Sequence, residues 1–162
     1  MTRTITRLSA LALVTVLAAC GSGGGKSERM YLAQPRVSQA DLHPNETPEL
    51  RALIRKYSAL YGVPEDLVHR VVIRESRHRP GARNGRYYGL MQMAPATARG
   101  MGYSGSPQGL LDAETNLKYG VKYLRGAYLV ADGNHDAAVK WYSRGYYYEA
   151  KRKGLLEEAG LR

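Results

Sequence analysis

Apolar residues recur along most of this chain at steps of three and four, with polar residues between them, and that spacing predicts helices. Thr47-Pro48-Glu49 carries the signals of a helix start: a capping oxygen, a proline suited to the first position and an early acid. Leu50, Leu53, Ile54, Tyr57, Leu60 and Tyr61 then form one stripe, and Gly62 stops it. A second helix is expected from Pro64 to Ser76, with Glu65 and Asp66 in its first turn and Leu67, Val68, Val71 and Val72 on its buried face. Pro95 to Arg99 predicts a short helix. Asp112 caps a longer one that ends near Gly133, in which Leu117, Val121, Leu124 and Tyr128 share a face. His135 to Gly145 reads as another, with Ala138, Trp141 and Tyr142 inward, and a last helix runs from about Tyr146 to Glu158. Strand patterns are scarce. The segment RNGRYYG, from Arg83 to Gly89, predicts a small hairpin through Asn84-Gly85. The expected class is all-α, with α+β character at most through that hairpin.

One position breaks the pattern. At 100° per residue, Glu75 falls within about 10° of the centre of the apolar face of the second helix. A carboxyl among apolar neighbours loses hydration, which disfavours its charged form and raises its pKa. A Glu kept protonated near neutral pH can donate a proton to a leaving oxygen. The same placement also suits a carboxylate that caps a neighbouring helix or pairs with an arginine across the core, so the helix alone leaves the role open.

Composition adjusts this picture at the edges. A chain of 162 residues, 44% hydrophobic, supports one modest domain with a real core. The net charge of +10 favours an anionic partner or surface without choosing among nucleic acid, membrane and acidic polysaccharide. The N-terminus narrows the choice. Arg3 and Arg7 precede an apolar run from Leu8 to Ala19, which is too short to span a bilayer and reads as a secretory signal. Leu17-Ala18-Ala19-Cys20 resembles the lipobox of bacterial lipoproteins, and Cys20 is the only cysteine, so no disulfide competes for its thiol. Residues 1–19 are therefore expected to be a lipoprotein signal peptide, and residues 20–45 a lipidated flexible tether reaching roughly 25–30 Å. Residues 46–162 form the expected domain. A secreted, lipid-anchored chain makes nucleic acid an unsuitable partner and puts the protein at the periplasmic face of the cell envelope. The absence of an acid directly after Cys20 favours the outer membrane.

The segment after Glu75 gives that carboxyl a context. Glu75-Ser76, Pro80, Gly89-Leu90-Met91-Gln92 and Pro95-Ala96-Thr97-Ala98 resemble the central signature of the soluble-lytic-transglycosylase family, which has a lysozyme-like fold. Asn116 to Leu124 is similar to the family's Asn-x-x-x-Gly-x-x-Tyr-Leu helix, and Ala138 to Gly145 stands where its Tyr-Asn-Ala-Gly helix falls. The resemblance spans about residues 50 to 150. It implies cleavage of the β-1,4 bond between N-acetylmuramic acid and N-acetylglucosamine in peptidoglycan glycan strands. Glu75 would act as sole acid and base, leaving 1,6-anhydro ends, with no cofactor. It further implies substrate contacts from Ser76, Asn84, Met91, Gln92 and Tyr142, the last reaching the catalytic carboxyl; by their positions alone Ser76 could equally end the helix, and Met91 and Tyr142 could be core residues. Asn84 stands where the family often has a serine that bonds the substrate's N-acetyl group; an amide can both donate and accept. For Asn116 a structural bond to backbone near the cleft is favoured.

Alternatives stay open at this level. Asp112 or Glu114 could approach Glu75 in space and make a hydrolase of goose-lysozyme type. A murein-binding lipoprotein without activity is the third reading. Tyr87, Tyr88 and Tyr103 are candidates for stacking on sugar, and Arg77, Arg79, Arg83 and Arg86 for steering anionic murein. His43, His69, His78 and His135 lack metal-ligand spacing, so no metal is expected, and the protein is expected to be a monomer.

Overall fold

The computed structural model describes residues 38–161. The signal segment, Cys20 and most of the expected tether lie outside the described residues. The described residues form six α-helices and one hairpin: α1 (Pro48–Tyr61), α2 (Glu65–Ser76), β1 (Arg83–Asn84), β2 (Tyr87–Tyr88), α3 (Pro95–Gly100), α4 (Ala113–Val130), α5 (His135–Arg144) and α6 (Tyr147–Lys153). Two 3-10 turns, Gln39–Asp41 and Pro107–Leu111, complete the list.

The helix ends follow local chemistry. Thr47 Oγ1 accepts from the Leu50 N–H at 3.2 Å, and Gly62 closes α1 in the left-handed conformation. Asp112 Oδ1 caps α4 through the Thr115 N–H at 2.8 Å. Asn134 caps α5 through the Ala137 N–H at 2.9 Å, a signal the sequence reading passed over. The last helix is shorter than expected: Gly154 adopts φ +73 and ends it after Lys153. Trp141, expected inward, is only partly buried, with the Arg144 guanidinium 4.0 Å above its ring. The hairpin turns one residue later than expected, because Asn84 pairs with Tyr87 and leaves Gly85-Arg86 at the turn.

Helix α4 is the centre of the core. Its Leu117, Val121 and Leu124 are fully buried, as are Ile54 of α1 and Leu67 and Val68 of α2. Each such side chain contributes about 1.5–3 kcal/mol. Against this core pack α1 and α5, and α2 lies against α1 and α5 in turn. That arrangement leaves the C-terminal end of α2, with Glu75, beside the hairpin.

Residues 38–45 correct the tether boundary, since they are folded onto the domain. The Asp41 carbonyl accepts from Arg51 Nη2 at 3.0 Å, and Asn45 Nδ2 donates to the Arg77 carbonyl at 3.1 Å. This packing also gathers three of the histidines that lack metal-ligand spacing in the sequence, together with Glu46. His43 stacks on His78 with ring centroids 5.0 Å apart, and His69 Nδ1 lies 3.0 Å from His78 Nε2. Spacing in sequence could not show this, because the chain reverses between His43 and His69 and again at His78.

Candidate active site

Glu75 sits at the C-terminal end of α2, its side chain 22% exposed. Directly after it the backbone leaves the helix through two consecutive left-handed residues, Arg77 (φ +54) and His78 (φ +58). Such conformations cost of order 1–3 kcal/mol each and persist where surrounding structure holds them. Here Arg77 N–H bonds the Val72 and Ile73 carbonyls, and the buried His78 ring anchors the turn. The chain then leads into the hairpin, and a cleft of about 480 Å³ is lined by Glu75, Arg79, Arg83, Asn84 and Gln92 among others.

The far wall is the Gly89-Leu90-Met91-Gln92 turn. Tyr88 and Met93 bridge its base through N–H to O distances of 3.1 and 2.9 Å. Leu90 and Met91 point into the core, whereas Gln92, at φ +46, points to the cleft. Gln92 Nε2 donates to the Gly89 carbonyl at 2.9 Å and to the Ala82 carbonyl at 3.2 Å. Its carbonyl oxygen is thereby left for a ligand. Asn116, fully buried on α4, holds the turn from behind: Oδ1 accepts from the Met91 N–H at 2.8 Å, and Nδ2 donates to the Tyr88 and Leu110 carbonyls at 2.8 and 2.7 Å. Gly89 (φ +75) is required here, since a Cβ would stand 2.3 Å from both Asn116 Nδ2 and the Leu110 carbonyl oxygen.

A second cleft, of about 530 Å³, adjoins the first through Gln92. Tyr87, Thr97, Tyr123, Tyr142 and Arg144 are among its lining residues. Tyr123 and Arg144 were not singled out in the sequence, where Tyr123 entered only as part of the Asn116–Leu124 segment. Of the three tyrosines proposed for sugar stacking, only Tyr87 lines the cleft. Tyr88 is buried beneath the Arg83 guanidinium, and the Tyr103 hydroxyl donates to the Ser106 carbonyl.

Two predicted contacts are corrected. Ser76 is 2% exposed and its hydroxyl donates to the Val72 carbonyl at 3.1 Å, so it closes the helix and does not face a ligand. The Met91 side chain is wholly buried against Gly120 of α4; only its backbone serves the site. Tyr142 is close to Glu75 but differs in detail from the expectation. Its hydroxyl donates to the Met91 carbonyl at 2.7 Å, not to the carboxyl. The hydroxyl's lone pairs are left as acceptors.

The electrostatics single out one acid. Burial pushes the Glu75 carboxyl above the ordinary carboxylate range, against the opposing charge of Arg74, whose Nε lies 3.6 Å away. Burial, and then the Glu75 charge, hold the Tyr142 hydroxyl well above its usual value, so it remains protonated. Neither alternative carboxylate lines the clefts. Asp112 caps α4, and Glu114 binds Lys56 Nζ at 2.5 Å and the Tyr57 hydroxyl at 3.1 Å. Among the residues lining the two clefts, Glu75 is the one carboxylate.

A helical, lysozyme-like domain with a single half-buried glutamate in a polar groove defines a class of glycan-cleaving protein. The sequence model of the Transglycosylase SLT domain matches residues 52–156, and the chain belongs to that family. It is a peptidoglycan-acting enzyme of lytic-transglycosylase type.

Proposed function

We propose that Glu75 alone performs both proton transfers in a non-hydrolytic cleavage of the bond between N-acetylmuramic acid and N-acetylglucosamine. Protonated Glu75 gives its proton to the glycosidic oxygen as the C1–O bond breaks. The N-acetyl oxygen of the muramoyl residue stabilises the cationic carbon. The resulting carboxylate takes the proton from the C6 hydroxyl as that oxygen bonds C1. The product is a 1,6-anhydro end, Glu75 is protonated again, and water is not consumed. Asn84 and Gln92 supply polar contacts to the sugar, and Tyr142 accepts a hydrogen bond from the protonated acid.

The observation that carries this reading is the lone carboxylate. Hydrolytic glycosidases commonly place two carboxyl groups about 5–9.5 Å apart across the scissile bond. The residues lining these clefts supply only Glu75. Mass spectrometry of digested sacculi tests the proposal: anhydromuramoyl ends are expected, and reducing muramic ends would overturn it. Glu75→Gln should remove cleavage while the far-UV circular dichroism stays unchanged. We also assign the enzyme to the periplasmic face of the envelope, held by lipid on Cys20, a reading supported by Leu17-Ala18-Ala19-Cys20. Incorporation of labelled fatty acid should vanish in Cys20→Ser.

A further inference from the structure

His69 lies on α2 six residues before Glu75, about 240° around the helix axis from it, and so belongs to a different face. There it meets His78 from the turn after α2, and His43 and Glu46 from the segment before α1. One donor atom from each of these four side chains lies within 4.8 Å of the other three. Three of the four residues are buried and His43 is partly so. We propose that His43, Glu46, His69 and His78 bind a transition-metal ion of the Zn²⁺ type, as a closed structural site that clasps residues 43–46 to the helix bearing Glu75.

The donor set fits that chemistry. Three imidazoles and one carboxylate suit Zn²⁺, and four protein ligands fill the tetrahedral positions of a structural site. With bonds of about 2.0–2.1 Å, tetrahedral geometry puts donor atoms roughly 3.3 Å apart. The His69 Nδ1 to His78 Nε2 distance is already 3.0 Å. Contraction by about 1.5 Å at most closes the widest pair.

A second observation points the same way. His69 is 6% exposed, yet its Nε2 has no hydrogen-bond partner among the described residues. An unpaired ring nitrogen at such depth costs free energy in a site made only for packing. Ligation through Nδ1 replaces the proton shared with His78. The Nε2–H then faces the Glu65 carboxylate, whose Oε1 is 3.5 Å away, as the second ring nitrogen of a ligating histidine commonly does.

Arg51 is the evident competitor. Its Nε and Nη2 donate to Glu46 Oε1 and Oε2 at 2.7 and 2.6 Å. Each carboxylate oxygen has two lone pairs, so Oε1 retains one for a metal while Arg51 orients the group from behind. An entry path exists as well. An open groove of about 540 Å³ reaches His43 and His69 from solvent past Asp41, Glu65 and Asp66.

The test uses the full-length chain without a histidine tag, stripped with chelator and titrated with Zn²⁺ and, separately, Co²⁺. Expected are one equivalent of Zn²⁺ per chain in competition with a chromophoric chelator, a raised melting temperature, and the intense visible bands of tetrahedral Co²⁺. His43→Gln, at the partly buried ligand, should weaken affinity by about tenfold or more with the fold retained by circular dichroism. Cys20→Ser should leave affinity unchanged. Absence of saturable one-to-one binding overturns the proposal, as do an octahedral cobalt spectrum, His43→Gln binding like the parent, or loss of binding in Cys20→Ser.

Discussion

Asn116→Ala isolates how the cleft wall is held. The substitution removes one amide and strands three backbone groups: the Met91 N–H and the Tyr88 and Leu110 carbonyls. Asn116 is completely buried, so water cannot take its place without opening the core. Each stranded group costs about 1–3 kcal/mol, and partial relaxation brings the total to about 3–5 kcal/mol. That is a large share of the roughly 5–15 kcal/mol that stabilises an ordinary domain. For a domain of this size it corresponds to a fall in melting temperature of about 10–20 °C. The damage should not be confined to stability. Gln92 and the Met91 carbonyl that fixes Tyr142 both ride on this turn, so sacculus clearing should fall even at temperatures where the variant is folded. Urea denaturation followed by circular dichroism gives the first quantity, and turbidimetry the second. Asn116→Asp keeps the acceptor for the Met91 N–H but turns an oxygen toward two carbonyls, so it should be destabilised too, and more as the pH rises. A loss under about 1 kcal/mol in Asn116→Ala would refute the claim that these three bonds hold the turn.

Three further outcomes follow from other parts of the site. The raised pKa of Glu75 means that the folded state holds its proton more tightly than the unfolded chain, so this contribution to stability is complete at low pH and is lost as pH rises through the folded value. Glu75→Gln should therefore be more stable than the parent at pH 8 and lose that advantage toward pH 4, as read from denaturation midpoints; the parent's cleavage rate should fall over the same rise in pH. Tyr142→Phe strands the Met91 carbonyl and should cost about 1–2 kcal/mol by urea denaturation. Gly126→Ala would put a Cβ 2.7 Å from ring atoms of buried Tyr146, whose hydroxyl donates to the Tyr123 carbonyl at 2.8 Å; a net loss of about 1–3 kcal/mol is expected despite alanine's better helix propensity.

What the sequence disclosed and what it withheld divide along a physical line. The helices were legible because period and caps are local. Thr47, Gly62 and Asp112 act within four residues of themselves, and the apolar stripe of α4 repeats inside one helix. Glu75 was legible for the same reason, as a carboxylate standing in phase with the apolar stripe of its own helix. Asn116 was read correctly as structural, although its three partners lie on β2, on the turn after it and on the 3-10 turn Pro107–Leu111. Ser76 and Met91 failed because a motif records that a residue is needed without recording whether its side chain or its backbone does the work. In Met91 the carbonyl and N–H carry the function while the thioether fills the space left by Gly120. The histidines failed for a stricter reason. His43, His69 and His78 are separated by 26 and 9 residues, and only the docking of residues 38–46 against α2 brings them together. That docking is encoded in the Glu46–Arg51 pair and the bond from Asn45 to the Arg77 carbonyl, neither of which has a periodic signature. The same α2 therefore presents two chemistries on two faces. A local rule exposes the one at Glu75, where a charge interrupts an apolar period, and hides the one at His69, where the partners come from outside the helix.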